Sequence, residues 1–388
     1  MNIFRRLSTR RLILLVSALA VVVAAAGTIA VTAFGGGGPT PPPKPLADAI
    51  HDALTASQPQ GITARISFTN NLFPSGALGG AGSALMNGAS GRLWVTNDGR
   101  GRLELQSDAG DAQIVWDSTQ VSLYDASSNT VYRAKLPAQS ADTGTTKQPP
   151  TVDEITTFLT KLEQHASVSD AQPSDVAGQA AYTVSISPKH DGGLLGSAEL
   201  AWDAVQGVPL RVAIHAQGSS SPVLELKATD ISYGAVSSSD VDVSPPADAK
   251  VVDLSAPSGQ ENSSGTTPVT GLDAVQQQLS FTLVAPDTLV GLPRQAVQLI
   301  GGTDKKGALV VYGEGLGAIV VVQRQPDTTQ NGNNPAASLP PVTINGATGH
   351  ELATQLGTVV LFQQAGVSYV LAGSLPPAAA EAAARALQ

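Results

Sequence analysis

Gly91-Arg92-Leu93-Trp94-Val95-Thr96-Asn97-Asp98-Gly99-Arg100-Gly101-Arg102-Leu103-Glu104-Leu105 is the stretch whose reading decides the fold. Leu93 and Val95 fall on one side of an extended chain, Leu103 and Leu105 do the same after the Asn97-Asp98-Gly99 turn, and the residues between them are polar or interfacial. The same period of two continues in both directions. It recurs at Ile62, Ala64, Ile66 and Phe68; Val121 and Leu123; Tyr182, Val184 and Ile186; Ala198, Leu200 and Trp202; Leu210, Val212 and Ile214; and Leu224 and Leu226. Ser127-Ser128-Asn129 and Asp203 to Gly207 supply further turns. Successive alternating strands joined by short turns form an antiparallel sheet with one apolar face, and that face needs a cover.

Two amphipathic helices are candidates for it. In 46–57 the apolar Leu46, Ala49, Ile50, Ala53 and Leu54 share a face opposite Asp48 and Asp52. In 151–165 Thr151 and Glu154 have the spacing of a capping box, and Ile155, Phe158, Leu159 and Leu162 line one side. This second helix is expected to lie as a lid across the open side of the sheet.

Upstream, Leu12 to Phe34 is uncharged and mostly apolar, and it follows Arg5, Arg6, Arg10 and Arg11. It is long enough to cross a bilayer core of ~30 Å as a helix. The arginines keep the N-terminus cytoplasmic and place the rest outside the cell membrane. Cleavage near Ala24-Ala25-Ala26-Gly27 is the competing reading and would release a secreted protein. Residues 35–45 then read as a Gly/Pro stalk, 46–254 as the first domain, 255–269 as a Ser/Gly/Thr/Pro linker and 270–388 as a small α+β domain. In the last unit strands are expected at 308–312, 318–322, 359–362 and 369–372, followed by an Ala-rich helix over 377–387.

The chain has 42% hydrophobic and 14% charged residues, a net charge of −9 and no cysteine. It can bury real cores, it lacks the basic excess that nucleic acid demands, and disulfide, thiolate and lipobox chemistry are excluded. The histidines His51, His165, His190, His215 and His350 show no metal-ligand spacing, and His350-Glu351 does not continue into a zincin motif. Ser83 and Ser374 follow glycines but neither sits in a nucleophile elbow. Gly313, Gly315 and Gly317 lie between two Val-rich strands and do not open a helix, so they are turn glycines. The expectation is a protein that is not an enzyme and uses no cofactor or metal.

The G-x-L-W-V strand at Gly91–Val95, the second strand at Gly101–Leu105, the hairpin from Asp117 through Tyr124-Asp125 to Asn129 and the closing run from Val241-Asp242-Val243-Ser244-Pro245-Pro246 to Val251-Val252-Asp253 together resemble the bacterial lipoprotein carrier family LolA and its RseB-like relatives. The resemblance covers roughly 46–254. It implies a half-open antiparallel β-barrel with a helical lid over a hollow that accepts acyl chains. Lid-holding carriers place a basic residue directly after the G-x-L-W-V strand, whereas Thr96 and Asn97 stand there, which argues against energy-driven loading. The order of elements in 270–388 resembles a small domain of Gram-positive envelope regulators.

The expected function is therefore a membrane-anchored extracytoplasmic protein that holds lipid or lipoprotein acyl chains between sheet and lid, with an envelope protein as a further partner. The alternative is an RseB-like envelope-stress regulator acting through contacts with an anti-sigma factor. By alternation the sheet side of the cavity is assigned to Ile66, Phe68, Leu93, Val95, Leu103, Leu105, Leu123, Val184, Leu200, Val212 and Ile214. The lid side is assigned to Ile155, Phe158, Leu159 and Leu162. The Gly/Ala-rich loop Asn71 to Ser90, with Leu72, Phe73, Leu78, Leu85 and Met86, reads as a lip over the hollow.

Overall fold

The computed structural model describes residues 39–72, 84–136, 149–164, 166–189, 193–254, 269–301, 306–314, 317–326 and 339–388. The candidate span over 12–34, the linker at 255–268 and most of the 71–90 loop lie outside them. No helix among the described residues is long and apolar enough to cross a membrane.

The protein is mainly β with a few helices. Its first unit runs α1 (Leu46–Thr55), β1 (Gly61–Asn70), α2 (Ala84–Asn87), β2 (Ala89–Thr96), β3 (Gly101–Ser107), β4 (Gly110–Trp116), β5 (Gln120–Asp125) and β6 (Thr130–Lys135). It continues with α3 (Val152–Leu162), β7 (Ala166–Val168), β8 (Gln172–Val176), β9 (Gln179–Pro188), β10 (Leu195–Asp203), β11 (Pro209–Ala216), β12 (Pro222–Tyr233), α4 (Ser238–Val241) and β13 (Lys250–Asp253). Among the described residues these strands make one 13-stranded sheet in the order β13-β6-β5-β4-β3-β2-β1-β12-β11-β10-β9-β7, with β8 also on β9. No pairing joins β13 to β7 there, so the sheet curls into a half-barrel and stays open. Every pairing is antiparallel except the last: β13 returns to run parallel to β6, with Lys250 opposite Thr130 and Asp253 opposite Arg133.

The stretch that opened the analysis forms β2 and β3, joined by the expected turn, with Leu93 paired to Leu103. Gly101 is required by packing, because a Cβ there would stand 2.0 Å from the ring of Trp116. Trp116 is buried at 6% exposure and closes the core of this end of the sheet.

The capping box forms as expected. Thr151 Oγ1 accepts from the Glu154 amide at 3.3 Å and Glu154 Oε2 accepts from the Thr151 amide at 2.8 Å. That carboxylate is held below its usual range by the backbone bond from Thr151 first and its hydroxyl second. The helix does not lie across the open sheet, however. It packs on α1 and the end of β7, and the Pro150 carbonyl meets His51 Nδ1 at 2.9 Å. The reason is local: α1 already covers the inner face of β9 and β10, so α3 forms a second layer on α1. The proline stalk is seated as well, with Tyr182 Oη donating to the Pro42 carbonyl at 2.7 Å.

The second unit contains α5 (Leu272–Gln276), β14 (Thr288–Leu289), β15 (Leu292–Ile300), β16 (Gly307–Tyr312), β17 (Ile319–Arg324), β18 (Pro341–Ile344), β19 (Ala347–Ala353), β20 (Thr358–Gln364), β21 (Val367–Gly373) and α6 (Pro377–Arg385). Its 8-stranded sheet has the order β14-β15-β16-β17-β21-β20-β19-β18. Helix α6, rich in strongly helix-forming alanine, lies on β18, β20 and β21 and buries Ala380, Ala383 and Ala384 completely. The two units touch where Ser374 Oγ accepts from the Leu194 and Leu195 amides, at 3.0 and 2.9 Å, and where Gln355 Nε2 donates to the Asn71 carbonyl at 2.7 Å.

Candidate functional site

The inner face of the half-barrel divides into three zones. Over β1 to β5 it is filled by its own side chains: Ile66, Leu93, Val95, Leu103 and Leu105 are buried in one cluster, with Phe68 and Leu123 at its margin. Helix α2, from the loop expected to act as a lip, seats the fully buried Ala84 on this cluster. Over β9 and β10 the face is covered by α1, whose Ala49 meets Tyr182, Val184 and Trp202, with Leu200 at the edge. Gly207 permits this docking, since a Cβ there would fall 2.2 Å from the Ala53 carbonyl oxygen, and its φ of 66° suits glycine.

Between these zones register places two apolar rows side by side. Phe68 pairs with Leu226, Leu226 with Val212, Val212 with Leu200 and Leu200 with Val184. Alongside, Leu224 pairs with Ile214, Ile214 with Ala198 and Ala198 with Ile186. Val212, Ile214, Leu224, Ala198 and Ile186 are half-buried and belong to none of the packed clusters of described residues. At ~4.8 Å per strand the longer row runs about 19 Å across the sheet. Neither row contains a titratable group.

The assigned residues therefore separate. Val212 and Ile214 lie in the strip against which no cluster of described residues packs, Phe68 lies at its filled margin, Leu200 and Val184 lie at its covered margin, and the β2 and β3 set lies in the filled zone. On α3, Ile155 is buried, Leu159 and Leu162 are half-buried, and Phe158 is 60% exposed. Leu224, Leu226, Ala198 and Ile186 complete the strip. They carry the same alternation that marked their neighbours and could have been named from it.

Hydrogen bonds of Asp203 and Arg211 stiffen the frame of the strip. The buried Asp203 carboxylate accepts from the Val205 and Gln206 amides at 2.7 and 2.8 Å and from Tyr233 Oη at 2.7 Å. Burial first, and then this bond, push the Tyr233 phenol well above its ordinary value. On the outer face Arg211 donates to Glu225 at 2.7 Å and to Glu199 at 2.5 Å, bracing β10, β11 and β12 from behind. The arginines after β2 face outward too. Arg100 forks onto Asp242 at 2.9 and 3.0 Å, and Arg102 stacks 5.1 Å over the Trp94 ring while donating to the Asp240 carbonyl. Among the described residues no group of three or more His, Asp or Glu is placed to hold a metal ion.

No family model matches the chain, and no curated protein matches it. Solved structures do. The complex of Pseudomonas aeruginosa MucA/MucB aligns at 16% identity and a TM-score of 0.44, covering 87% of this chain and 96% of that one. MucB with the MucA periplasmic segment gives 15% and 0.43, covering 88% and 96%. A putative outer membrane lipoprotein-sorting protein domain from Vibrio parahaemolyticus gives 11% and 0.23, covering 51% and 96%. The MucA contact belongs to MucB, and nothing about this chain's partners rests on it.

Proposed function

We propose that this protein is an extracytoplasmic binding protein of the cell envelope that holds an acyl chain, free or carried by a lipoprotein, against the strip centred on Val212 and Ile214. The observation that carries the reading is the pair of uncovered apolar rows between two covered zones on one inner face. Apolar faces of this extent are ordinarily buried, and one left open in a braced frame supports a role in taking up a ligand. Burial of an aliphatic chain contributes about 0.8 kcal/mol per CH₂, so some ten methylenes suffice for roughly micromolar binding without any charged contact. The apolar 12–34 segment would keep this face near the outer surface of the cell membrane. The role is binding and not catalysis.

Native mass spectrometry of the full chain, before and after delipidation, tests the reading. A bound lipid that is lost in Ile214→Asp is expected. A lipid-free protein that takes up no fatty acid, or uptake that Ile214→Asp leaves intact, contradicts it. The regulator reading draws on a different observation: Val251 and Leu254 are 53% and 60% exposed on and just after the edge strand β13, a surface suited to pairing with an envelope protein such as an anti-sigma factor. A stoichiometric crosslink from β13 to a protein, formed without lipid, would favour it.

A further inference from the structure

On the outer face of β4, β5 and β6, away from the acyl strip, lies a cavity of about 170 Å³. Its floor is two rungs of the sheet, Gln113 with Tyr124 and Val131, and Val115 with Ser122 and Arg133. Its roof is the segment Val243-Ser244-Pro245, which crosses from α4 to β13.

The roof is a bridge fixed at both ends. On one side Arg100 holds Asp242, donates to Ser238 Oγ at 3.1 Å, and Val241 is buried. On the other, Asn129 Nδ2 donates to Asp248 at 3.1 Å and the Lys250 amide donates to the Asn129 carbonyl at 2.9 Å, where β13 joins β6. With both abutments held, the space beneath is kept open rather than collapsed.

The polar groups inside are unbalanced. Gln113 Nε2 is buried and has no hydrogen-bond partner. Arg133, an exposed residue on the other outer strand of the three, brings its guanidinium to the cavity and has no ion-pair partner among the described residues. A buried donor without an acceptor costs on the order of 1–3 kcal/mol, so an accepting group in the cavity would relieve Gln113 Nε2. Asp117, at the hairpin end, is already occupied: its Oδ1 accepts from the Thr119 amide and hydroxyl, both at 2.6 Å, and from the Gln120 amide at 3.0 Å. Its charge keeps a second anion away from that end and directs one toward Arg133 and Gln113. Val115, Val131, Val243 and Pro245 give the remaining wall an apolar character.

We infer that this outer cavity binds a carboxylate on a short apolar stem, with Arg133 and Gln113 donating to the carboxylate oxygens. That chemistry is shared by a small aliphatic acid and by the C-terminal carboxylate of a peptide ending in an aliphatic residue. The site is independent of the acyl strip, on the opposite face of the sheet.

Calorimetric titration of the full chain with 4-methylpentanoate, with a tetrapeptide ending in leucine, and with the amide of each, tests it. Saturable binding of at least one acid, absent for its amide and weakened about tenfold in Arg133→Gln, is expected. The tighter of the two arms identifies the source. Arg133→Lys, which keeps the charge and loses the fork, is expected to lie between wild type and Arg133→Gln. The acid and amide comparison uses wild-type protein, so it stands even where a variant folds poorly. Failure of both acids to saturate at millimolar concentration, or equal binding of acid and amide, overturns the proposal. Loss of lipid uptake in Ile214→Asp leaves this result untouched, so the two sites fail separately.

Discussion

The two sheets of this protein are built from the same alternating pattern, and they differ in what covers them. In the second, α6 closes the inner face and a single cluster of fully buried residues runs from Val275 through Tyr312 and Leu371 to Leu387. In the first, the apolar face splits into a self-filled zone, a zone under α1 and an uncovered strip between them. Alternation specifies that a face is apolar. Whether the face becomes core or site is decided by the helices that reach it.

The comparison breaks if the two faces respond alike to truncation. Leu371→Ala, in the covered sheet, is expected to cost about 2–5 kcal/mol in denaturant unfolding, whereas Val212→Ala, in the open strip, is expected to cost less than about 1 kcal/mol while weakening lipid uptake. Equal costs would mean that the strip is core. Gly101→Ala forces a methyl group into the Trp116 ring and is expected to cost about 1–3 kcal/mol, which probes whether the filled zone is as rigid as the second sheet.

Acid separates the sheets in sign. The Asp117 carboxyl is held below its ordinary value of 3.8 by the Thr119 hydroxyl first and by the Thr119 and Gln120 amides. Its contribution is complete above that value and is lost as the pH falls through its lower folded pKa. Glu351, in β19, is pushed above its ordinary value of 4.5 by burial first and by Glu381 second. Its contribution is present below 4.5 and is lost as the pH rises through its folded pKa. Glu351→Gln is therefore expected to stabilise the second unit slightly at pH 7 and to have no effect at pH 3, as read from thermal unfolding at the two pH values. A destabilised variant at pH 7 would show that the carboxylate makes a favourable contact. The smallest expected effect is on α3: Thr151→Ala should speed hydrogen exchange in its first turn and leave the sheets unchanged.

Much of this architecture was legible in the residues. The period of two located most of the long strands, and Thr151 with Glu154 fixed the start of α3. Strand β8 escaped notice because Gln172-Pro173-Ser174-Asp175 has no apolar alternation; it is held to β9 by backbone pairing and by Ser174, whose Oγ lies 2.9 Å from Thr183 Oγ1. The place of α3 was hidden for another reason: its amphipathic face states that it must pack, and only the prior docking of α1 decides on what. The strip was half visible. Leu200, Val212 and Ile214 could be named, but which apolar residues stay uncovered depends on where two short helices stop. The outer cavity was not visible at all, since Gln113, Ser122 and Arg133 read as an ordinary solvated face until Val243 to Pro245 returns over them.

Photolabelling of the full chain with a diazirine fatty acid, followed by mapping of the modified residues, tests the central claim most directly. Labels concentrated on β11 and β12 and on the facing parts of β1 and β10, competed away by unlabelled fatty acid and absent from the sheet under α6, are the predicted result. Labels scattered over both sheets, or none that unlabelled fatty acid competes away, would contradict it.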